Sequence, residues 1–173
     1  MSGGAVLVRR LRPQEWQAYR AIRLRALADA PDAFGSTLAR EEGLPDDTWA
    51  ARVAKSAVSG IDCALVAEQG GAFVGLLWAK VDAEDAGRVN LFQMWVAPES
   101  RGRGVAAAML DEALGWARRR GSWVVHLGVN NANAGALGLY ERAGFKAIGE
   151  PYPMREGAPH MEQEMRLLLD GAA

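Results

Sequence analysis

A loop rich in glycine and arginine, Arg101-Gly-Arg-Gly104, lies between a predicted strand and a predicted helix. Its glycines let the backbone approach a ligand closely. The start of the following helix offers free N–H groups and the positive end of the helix dipole. Together with the charges of Arg101 and Arg103, these features predict an anion site, most naturally for phosphate. A plain glycine turn with solvated arginines explains this motif, taken alone, equally well.

The same loop formally matches a dinucleotide-binding fingerprint, Gly102-x-Gly104-x-x-Ala107. That fingerprint follows its strand immediately, and an acidic residue ends the next strand to bind the ribose. Here Ala97–Arg101 intervene, and the strand Val124–Val129 does not end in an acidic residue. The context therefore argues against a dinucleotide site.

Runs of apolar residues and helical periodicity predict the elements that position this loop. Hairpin signals join the early strands, which are therefore antiparallel, and the strand-helix-strand unit in the middle forms a right-handed parallel crossover. The predicted class is α+β, with a mixed and mostly antiparallel sheet flanked by helices. The predicted strands are Ala5–Val8, Cys63–Ala67, Ala72–Val81, Val89–Val96, Trp123–Val129, Phe145–Gly149 and Glu162–Leu169, and the predicted helices are Gln14–Ala30, Asp46–Ala57, Val105–Arg120 and Asn133–Ala143.

The composition argues against several classes of protein. The chain has 173 residues, a net charge of −1, one cysteine and two histidines. The charge balance is unlike that of a nucleic-acid binder, and so few cysteines and histidines leave little material for disulfides or a metal site. No apolar run reaches the roughly 18 residues of a membrane span, and the N-terminus does not read as a signal peptide. We expect one cytoplasmic domain over residues 1–173, without metal, membrane or nucleic-acid partners.

Two motifs carry a resemblance to a known family. Arg101-Gly-Arg-Gly104-Val-Ala106 resembles the acyl-CoA signature (Gln/Arg)-x-x-Gly-x-(Gly/Ala) of the GCN5-related N-acetyltransferases, the GNAT family. The segment Asn133–Phe145 matches the family's second block, N-x-x-A-x-x-L-Y-x-x-x-G-F, at every fixed position. Since the order of predicted elements fits as well, the resemblance covers nearly the whole chain.

The resemblance implies a sheet that is splayed open between Val89–Val96 and Trp123–Val129. The pantetheine arm of acetyl-CoA would lie in the splay, beside the backbone of Met94, Trp95 and Val96. Asn133 would reach the cofactor from the second block. The pyrophosphate would lie on amides of the loop and the helix start, namely those of Arg101, Gly102, Arg103, Gly104, Val105 and Ala106.

The resemblance also suggests proton carriers for acetyl transfer. Tyr140 would stand beside the coenzyme A sulfur and protonate the leaving thiolate. Many members carry a glutamate base at one of two strand positions, which here hold Asn90 and Gly128. His126 faces the same side of its strand as Gly128, so it is a candidate base, although a structural histidine bonded to the backbone fits as well.

Other candidates are Glu84 and Asp85, which a solvated acidic turn also explains. A backbone N–H near Trp95 or Val96 would stabilise the developing oxyanion. Cys63 is expected to be a buried strand residue. The acceptor is expected to contact Pro31–Ser36 and Pro151–Glu156, with Trp78 and Trp95 as aromatic pocket candidates.

The expected activity is transfer of an acetyl group from acetyl-CoA to a primary amine of a small molecule or protein, by direct attack. The alternative is an acyl-CoA-binding module without catalysis, which the missing glutamate favours and the intact Tyr140 disfavours. A homodimer is plausible by analogy alone.

Overall fold

The computed structural model describes residues 4–169. Its strands are β1 (Leu7–Arg10), β2 (Asp62–Gln69), β3 (Ala72–Val81), β4 (Arg88–Val96), β5 (Val124–Asn130), β6 (Lys146–Pro153) and β7 (Met161–Leu168). Its α-helices are α1 (Trp16–Asp29), α2 (Leu38–Glu42), α3 (Asp46–Val58), α4 (Val105–Arg119) and α5 (Ala134–Arg142). Every predicted helix and strand is present, β3 with the predicted bounds and the others with shifted ends, and α2 is additional.

The strands form one seven-stranded sheet in the order β1-β2-β3-β4-β5-β7-β6. Only β4 and β5 are parallel, and every other neighbouring pair is antiparallel. The α4 helix makes the crossover between β4 and β5, as a parallel connection requires. The predicted class, a mixed and mostly antiparallel sheet with one parallel unit, is confirmed.

Helices cover both faces of the sheet. Successive side chains of β3 point to opposite faces, so β3 packs against both helical layers. On one face, the ring of Trp78 packs against Tyr19 of α1 with centroids 5.6 Å apart, and Tyr19 packs against Trp49 of α3 at 5.9 Å. On the other face, α4 lies so close that a Cβ built on Gly75 would come within 2.9 Å of the Met109 methyl carbon.

The α4 helix is held by a stripe of buried side chains at helical spacing, made of Met109, Leu110, Ala113, Leu114 and Ala117. Basic residues fill its last turn, where they complement the negative end of the helix dipole. Gly121 follows with a φ of 78°, as a glycine that terminates a helix typically does.

The sheet opens between its two parallel strands, as predicted. Pairing of β4 with β5 ends at Leu91 and Leu127. Just beyond, β4 carries one extra residue relative to β3, and Gln93 adopts a φ of 64° that non-glycine residues seldom adopt. The Tyr19 hydroxyl donates a 2.6 Å hydrogen bond to Oε1 of Gln93. This bond anchors the bulge that turns β4 away from β5.

The C-terminal strands differ most from the prediction. The sequence predicts a strand that ends at Gly149, yet β6 runs to Pro153. A register shift between Ile148 and Tyr152 absorbs the irregular segment. Since β6 is an edge strand, its prolines break no ladder. The shifted register of β6 places Tyr152 opposite Glu162 of β7.

No helix between residues 4 and 169 is long and apolar enough to cross a membrane.

Candidate active site

A groove of about 650 Å³ runs along the start of α4 and the open end of β4. Ten of the eleven residues predicted to bind the cofactor line it: Met94, Trp95, Val96, Arg101, Gly102, Gly104, Val105, Ala106, Asn133 and Tyr140. Arg103, the eleventh, is exposed and lies outside the lining. The two sequence motifs therefore meet across a single groove.

The loop before α4 has the shape of an anion cradle. Gly102 and Gly104 have φ values of +75° and +79°, and a Cβ on either would meet no atom within 4 Å. In the described chain, the first backbone hydrogen bond of the helix joins the Ala108 amide to the Gly104 carbonyl oxygen. The amides of Val105, Ala106 and Ala107 precede it and remain free. This open rim of free N–H groups fits a pyrophosphate.

The side chain of Arg101 has a structural task. Its Nε donates to the Val96 carbonyl oxygen at 2.9 Å, and its Nη2 donates to Oδ2 of Asp29 at 2.7 Å. Trp95 Nε1 donates to the same carboxylate oxygen at 3.0 Å. The hydrogen bonds from Trp95 and Arg101 lower the pKa of Asp29. The Arg101 guanidinium thus ties the loop to α1, and its charge is already compensated there.

Asn133 also has a local partner, since its Oδ1 accepts a hydrogen bond from the Ala136 amide at 3.1 Å and caps α5. The cap fixes the start of the helix that carries Tyr140. Asn133 therefore lines the groove while its amide oxygen holds the helix.

Tyr140 lies where the groove meets the open sheet. Its ring is buried and packs edge-on against Phe145 with centroids 5.8 Å apart. Burial raises the pKa of Tyr140 to about 12, so the hydroxyl keeps its proton at neutral pH. Among the described residues, the hydroxyl makes no hydrogen bond, although it borders the groove. It can therefore donate to a ligand atom in the groove.

A second cavity, of about 550 Å³, opens on the α1 side of the sheet. Phe34, Gly35, Ser36 and Tyr152 line it, which brings together both segments predicted to contact an acceptor. His126, Asn90 and Gly128 line it as well. Trp95 lies in the groove instead, and Trp78, whose Nε1 donates to Asp62 Oδ1 at 3.0 Å, lies outside both spaces.

A narrow passage of about 70 Å³ shares walls with the groove and the cavity. Met94, Asn133 and Tyr140 form its groove side, and Phe34, Phe92 and Gly128 form its cavity side. It lies in the gap between β4 and β5. Two ligands could therefore approach one another from opposite faces of the sheet.

The candidate proton acceptors His126, Glu84 and Asp85 differ in position, and Asn90, at one of the two usual base positions, is bound to its neighbours. His126 Nδ1 lies 2.7 Å from Oε1 of Glu164 on β7, so the imidazole is held by a carboxylate. Asn90 bonds to Arg88 and Asp82. Glu84 and Asp85 lie in the turn before β4, outside the cavity lining, where their amides donate to Asp82.

Sequence reasoning missed five charged residues of the cavity region, namely Arg23, Glu41, Arg88, Glu162 and Glu164. Arg23 of α1 lines it and forms a buried two-bond ion pair with Glu41 of α2, at 2.7 and 3.1 Å. Glu162 and Glu164 line it from β7. The alternation of Glu162 and Glu164 on one strand was the available signal, but β7 had no assigned neighbour. Their place beside β5 appears only from the register.

Cys63 is buried, and burial raises the pKa of its thiol to about 11, in line with a packing residue. Within residues 4–169, no group of three histidine, cysteine or carboxylate side chains is arranged to hold a metal ion. That the protein works without a metal stays a prediction.

Curated proteins named acetyltransferases are similar in sequence to this chain. A Thermobispora bispora protein named mycothiol acetyltransferase is 33% identical over 135 residues, which cover 75% of this chain and 42% of that one. The chain spans less than half the length of the curated mycothiol acetyltransferases that it matches.

Solved structures share the fold. A GNAT-family acetyltransferase from Streptococcus pneumoniae has a TM-score of 0.83 at 21% identity, over 95% of this chain and 100% of that one. A Salmonella typhimurium protein solved with its cofactor acetyl-CoA has a TM-score of 0.81 at 21% identity, over 98% and 97%. The family model described as "Acetyltransferase (GNAT) family" matches residues 15–145. The chain therefore belongs to the GNAT acetyltransferase family.

Proposed function

We propose that the protein is an acetyl-CoA-dependent N-acetyltransferase that acts on a primary amine of a small molecule or a protein. The observation that carries this proposal is the passage between β4 and β5, with the free hydroxyl of Tyr140 at its groove side. A cofactor in the groove and an amine in the cavity would meet only there.

The groove residues divide the work of holding acetyl-CoA. The free amides at the start of α4 would hold the pyrophosphate, and the open stretch Met94–Val96 would bind the pantetheine arm through its backbone. On bound acetyl-CoA, the thioester supplies the acetyl group. Because β4 has lost its β5 partner beyond Leu91, its backbone N–H groups that face the passage are available to an oxyanion.

Tyr140 is proposed to protonate the departing thiolate. Its raised pKa keeps the proton in place until the C–S bond breaks. The attacking amine must be neutral, and a lysine-like amine, with a pKa of about 10.4, is almost entirely protonated at pH 7. Proton removal on the cavity side is therefore a separate requirement, which Tyr140 does not meet.

A non-catalytic acyl-CoA-binding module is the second candidate. It is favoured by one observation: Asn90 and Gly128, at the two strand positions where a glutamate base was expected, carry no carboxylate. Such a module would bind acetyl-CoA in the same groove without turnover.

A panel of amines distinguishes the two candidates. The protein is incubated with acetyl-CoA and, separately, spermidine, L-lysine, tyramine and a peptide with an N-terminal alanine. We expect coenzyme A release together with an acetylated amine, detected by mass spectrometry. Acetyl-CoA binding by calorimetry without any acetylated product would support the module and overturn the enzyme.

A further inference from the structure

The Glu162 carboxylate occupies the space that a side chain at position 128 would fill. A Cβ built on Gly128 would lie 2.5 Å from Cδ of Glu162 and 2.8 Å from each of its carboxylate oxygens. The backbone of Gly128 does not adopt a positive φ, so a side chain there would be blocked by Glu162 rather than by backbone strain. The missing side chain on β5 thus makes room for a carboxylate from β7.

The register of β5 and β7 explains how Glu162 reaches this place. Gly128 lies opposite Glu164, and Asn130 lies opposite Glu162. Both glutamates lean diagonally in the same direction, since Glu164 contacts His126 and Glu162 lies over Gly128. Diagonal neighbours on one face of a sheet lie within reach of long side chains.

The charged groups around Glu162 are mostly engaged with others. On β5 and β7, His126 is bound by Glu164, which also lies 3.8 Å from Arg88 of β4. On α1, Arg23 is paired with Glu41. On β6, burial and the neighbouring Glu162 raise the pKa of Tyr152, whose hydroxyl therefore stays protonated beside the carboxylate. In the described chain, Glu162 itself forms no ion pair.

Gly128 borders both the cavity and the passage, whereas Glu162 borders only the cavity. Tyr140 borders the passage and the groove. The carboxylate and the phenol therefore flank the passage from opposite sides. This is the arrangement that a proton acceptor for the amine and a proton donor for the thiolate would need.

We propose that Glu162 is the proton acceptor for the incoming ammonium group, placed on β7 over Gly128 instead of on β5. The inference rests on the proposed N-acetyltransferase function. In the step, Glu162 takes one proton from the ammonium, directly or through a water molecule. The neutral nitrogen then forms the N–C bond to the thioester carbon.

Collapse of the tetrahedral intermediate breaks the C–S bond, and the thiolate takes the proton of Tyr140. The second proton of the nitrogen returns through water to Tyr140, and Glu162 releases its proton to solvent. One ammonium and one thioester give one amide, one thiol and one proton.

The test uses the most active amine of the four-member panel and compares Glu162→Gln with wild type. At pH 7 we expect kcat/KM for the amine to fall by on the order of 100-fold, the lower end of the usual effect of a general base. The defect should shrink as the pH rises toward the pKa of the amine, because neutral amine then needs no base. Acetyl-CoA affinity and thermal unfolding should stay at wild-type values.

Two variants serve as comparisons. Glu150→Gln removes an exposed carboxylate from β6, outside the cavity, and should leave the rate unchanged. Glu164→Gln removes the carboxylate that holds His126. If kcat/KM recovers at high pH in Glu164→Gln but not in Glu162→Gln, the proton acceptor is the His126–Glu164 pair instead.

Moving the carboxylate provides the strictest test. Glu162→Ala opens the space over Gly128, and adding Gly128→Glu returns a carboxylate there from β5. We expect the double variant to recover at least about tenfold over Glu162→Ala. If the wild type is active and Glu162→Gln is equally active, this inference alone is overturned. If the wild type forms no product with any amine of the panel, the proposed function is overturned.

Discussion

The groove and the cavity are built from different parts of the chain. The groove is lined mainly by two short stretches, 94–107 and 133–142, and free amides at the start of α4 border it. The cavity is made of side chains from α1, the loop before α2, and β4 to β7. The groove therefore follows from local sequence, whereas the cavity exists only after the sheet has formed.

This difference affects what each region can tolerate. A backbone cradle depends on φ values and on the absence of side chains, so glycine substitutions should damage it most. The cavity depends on the register of β7 against β5, which brings its side chains together. Replacing one exposed or half-buried side chain of the lining can therefore change the chemistry of the cavity. Substitutions can therefore be directed at the passage, at one region alone, or at the bulge in β4.

Tyr140→Phe should have the largest effect because Tyr140 lines both the groove and the passage in which the two ligands would meet. The change removes a hydroxyl and keeps the packing on Phe145. We expect kcat to fall by about 10²–10⁴-fold with little change in acetyl-CoA affinity. Steady-state kinetics with the accepted amine, together with calorimetry, measures both. If Tyr140→Phe keeps a near-normal kcat under conditions in which chemistry limits the rate, Tyr140 is not the acid and only contributes packing.

The pH profile gives a further check on Tyr140. Because burial raises its pKa to about 12, the folded enzyme keeps this proton as the pH rises to 10. The wild-type kcat profile should therefore show no falling limb below about pH 10 from loss of the acid. A falling limb near pH 8 that disappears in Tyr140→Phe would contradict the assigned pKa direction.

Gly104→Val should break the groove alone. The valine would add side-chain atoms to the cradle at a φ of +79°, where a pyrophosphate must approach the amides. We expect acetyl-CoA affinity, measured by calorimetry, to fall by on the order of 100-fold, or about 2.7 kcal/mol.

Gly121→Val is the matched control for Gly104→Val. Gly121 has nearly the same φ, +78°, and equally open surroundings, but it follows the far end of α4. Both variants should lose about 1–3 kcal/mol of stability from backbone strain, but only Gly104→Val should lose affinity. Equal affinity losses would show that the loop itself does not hold the ligand.

His126→Gln should have a smaller effect, confined to the cavity. His126 is bound to Glu164, and Glu162 or water can take the proton of the amine. We expect kcat/KM to fall by less than about tenfold at pH 7, which is below the roughly 100-fold lower end of general-base effects. A drop as deep as that of Tyr140→Phe would instead make the histidine the base.

Tyr19→Phe should have the smallest effect and tests the bulge between the regions. It removes the hydrogen bond to Gln93 and keeps the ring between Trp49 and Trp78. We expect the free energy of unfolding to fall by about 0.5–1.5 kcal/mol in chemical denaturation. Acetyl-CoA affinity should change less than twofold, and a larger change would mean that this bond sets the opening of the sheet.

The sequence predicts the groove well because its two motifs are continuous in the chain. The stretches Arg101–Ala106 and Asn133–Phe145 each combine a turn with helix residues, and their resemblance to the family's motifs implied which residues meet the cofactor. The cavity could not be predicted in the same way. Glu162 reaches Gly128 only through strand register, and the short α2 is held by the buried pair of Arg23 with Glu41.

The same contrast explains the errors at the C-terminus. Gly149, Pro151 and Pro153 favour the end of a strand by local rules, but an edge position and a register shift allow β6 to continue. Tyr152, which this continuation places opposite Glu162, was predicted to contact the acceptor but not to lie on a strand.

A crystal structure of the protein with acetyl-CoA tests the central claim most directly, namely that acetyl transfer takes place in the passage between β4 and β5. We expect the pyrophosphate on the amides at the start of α4 and the thioester in the passage. The sulfur should lie within hydrogen-bonding distance of the Tyr140 hydroxyl, and the acetyl carbon should face the cavity that holds Glu162. A thioester outside the passage, or a pyrophosphate away from α4, would contradict it.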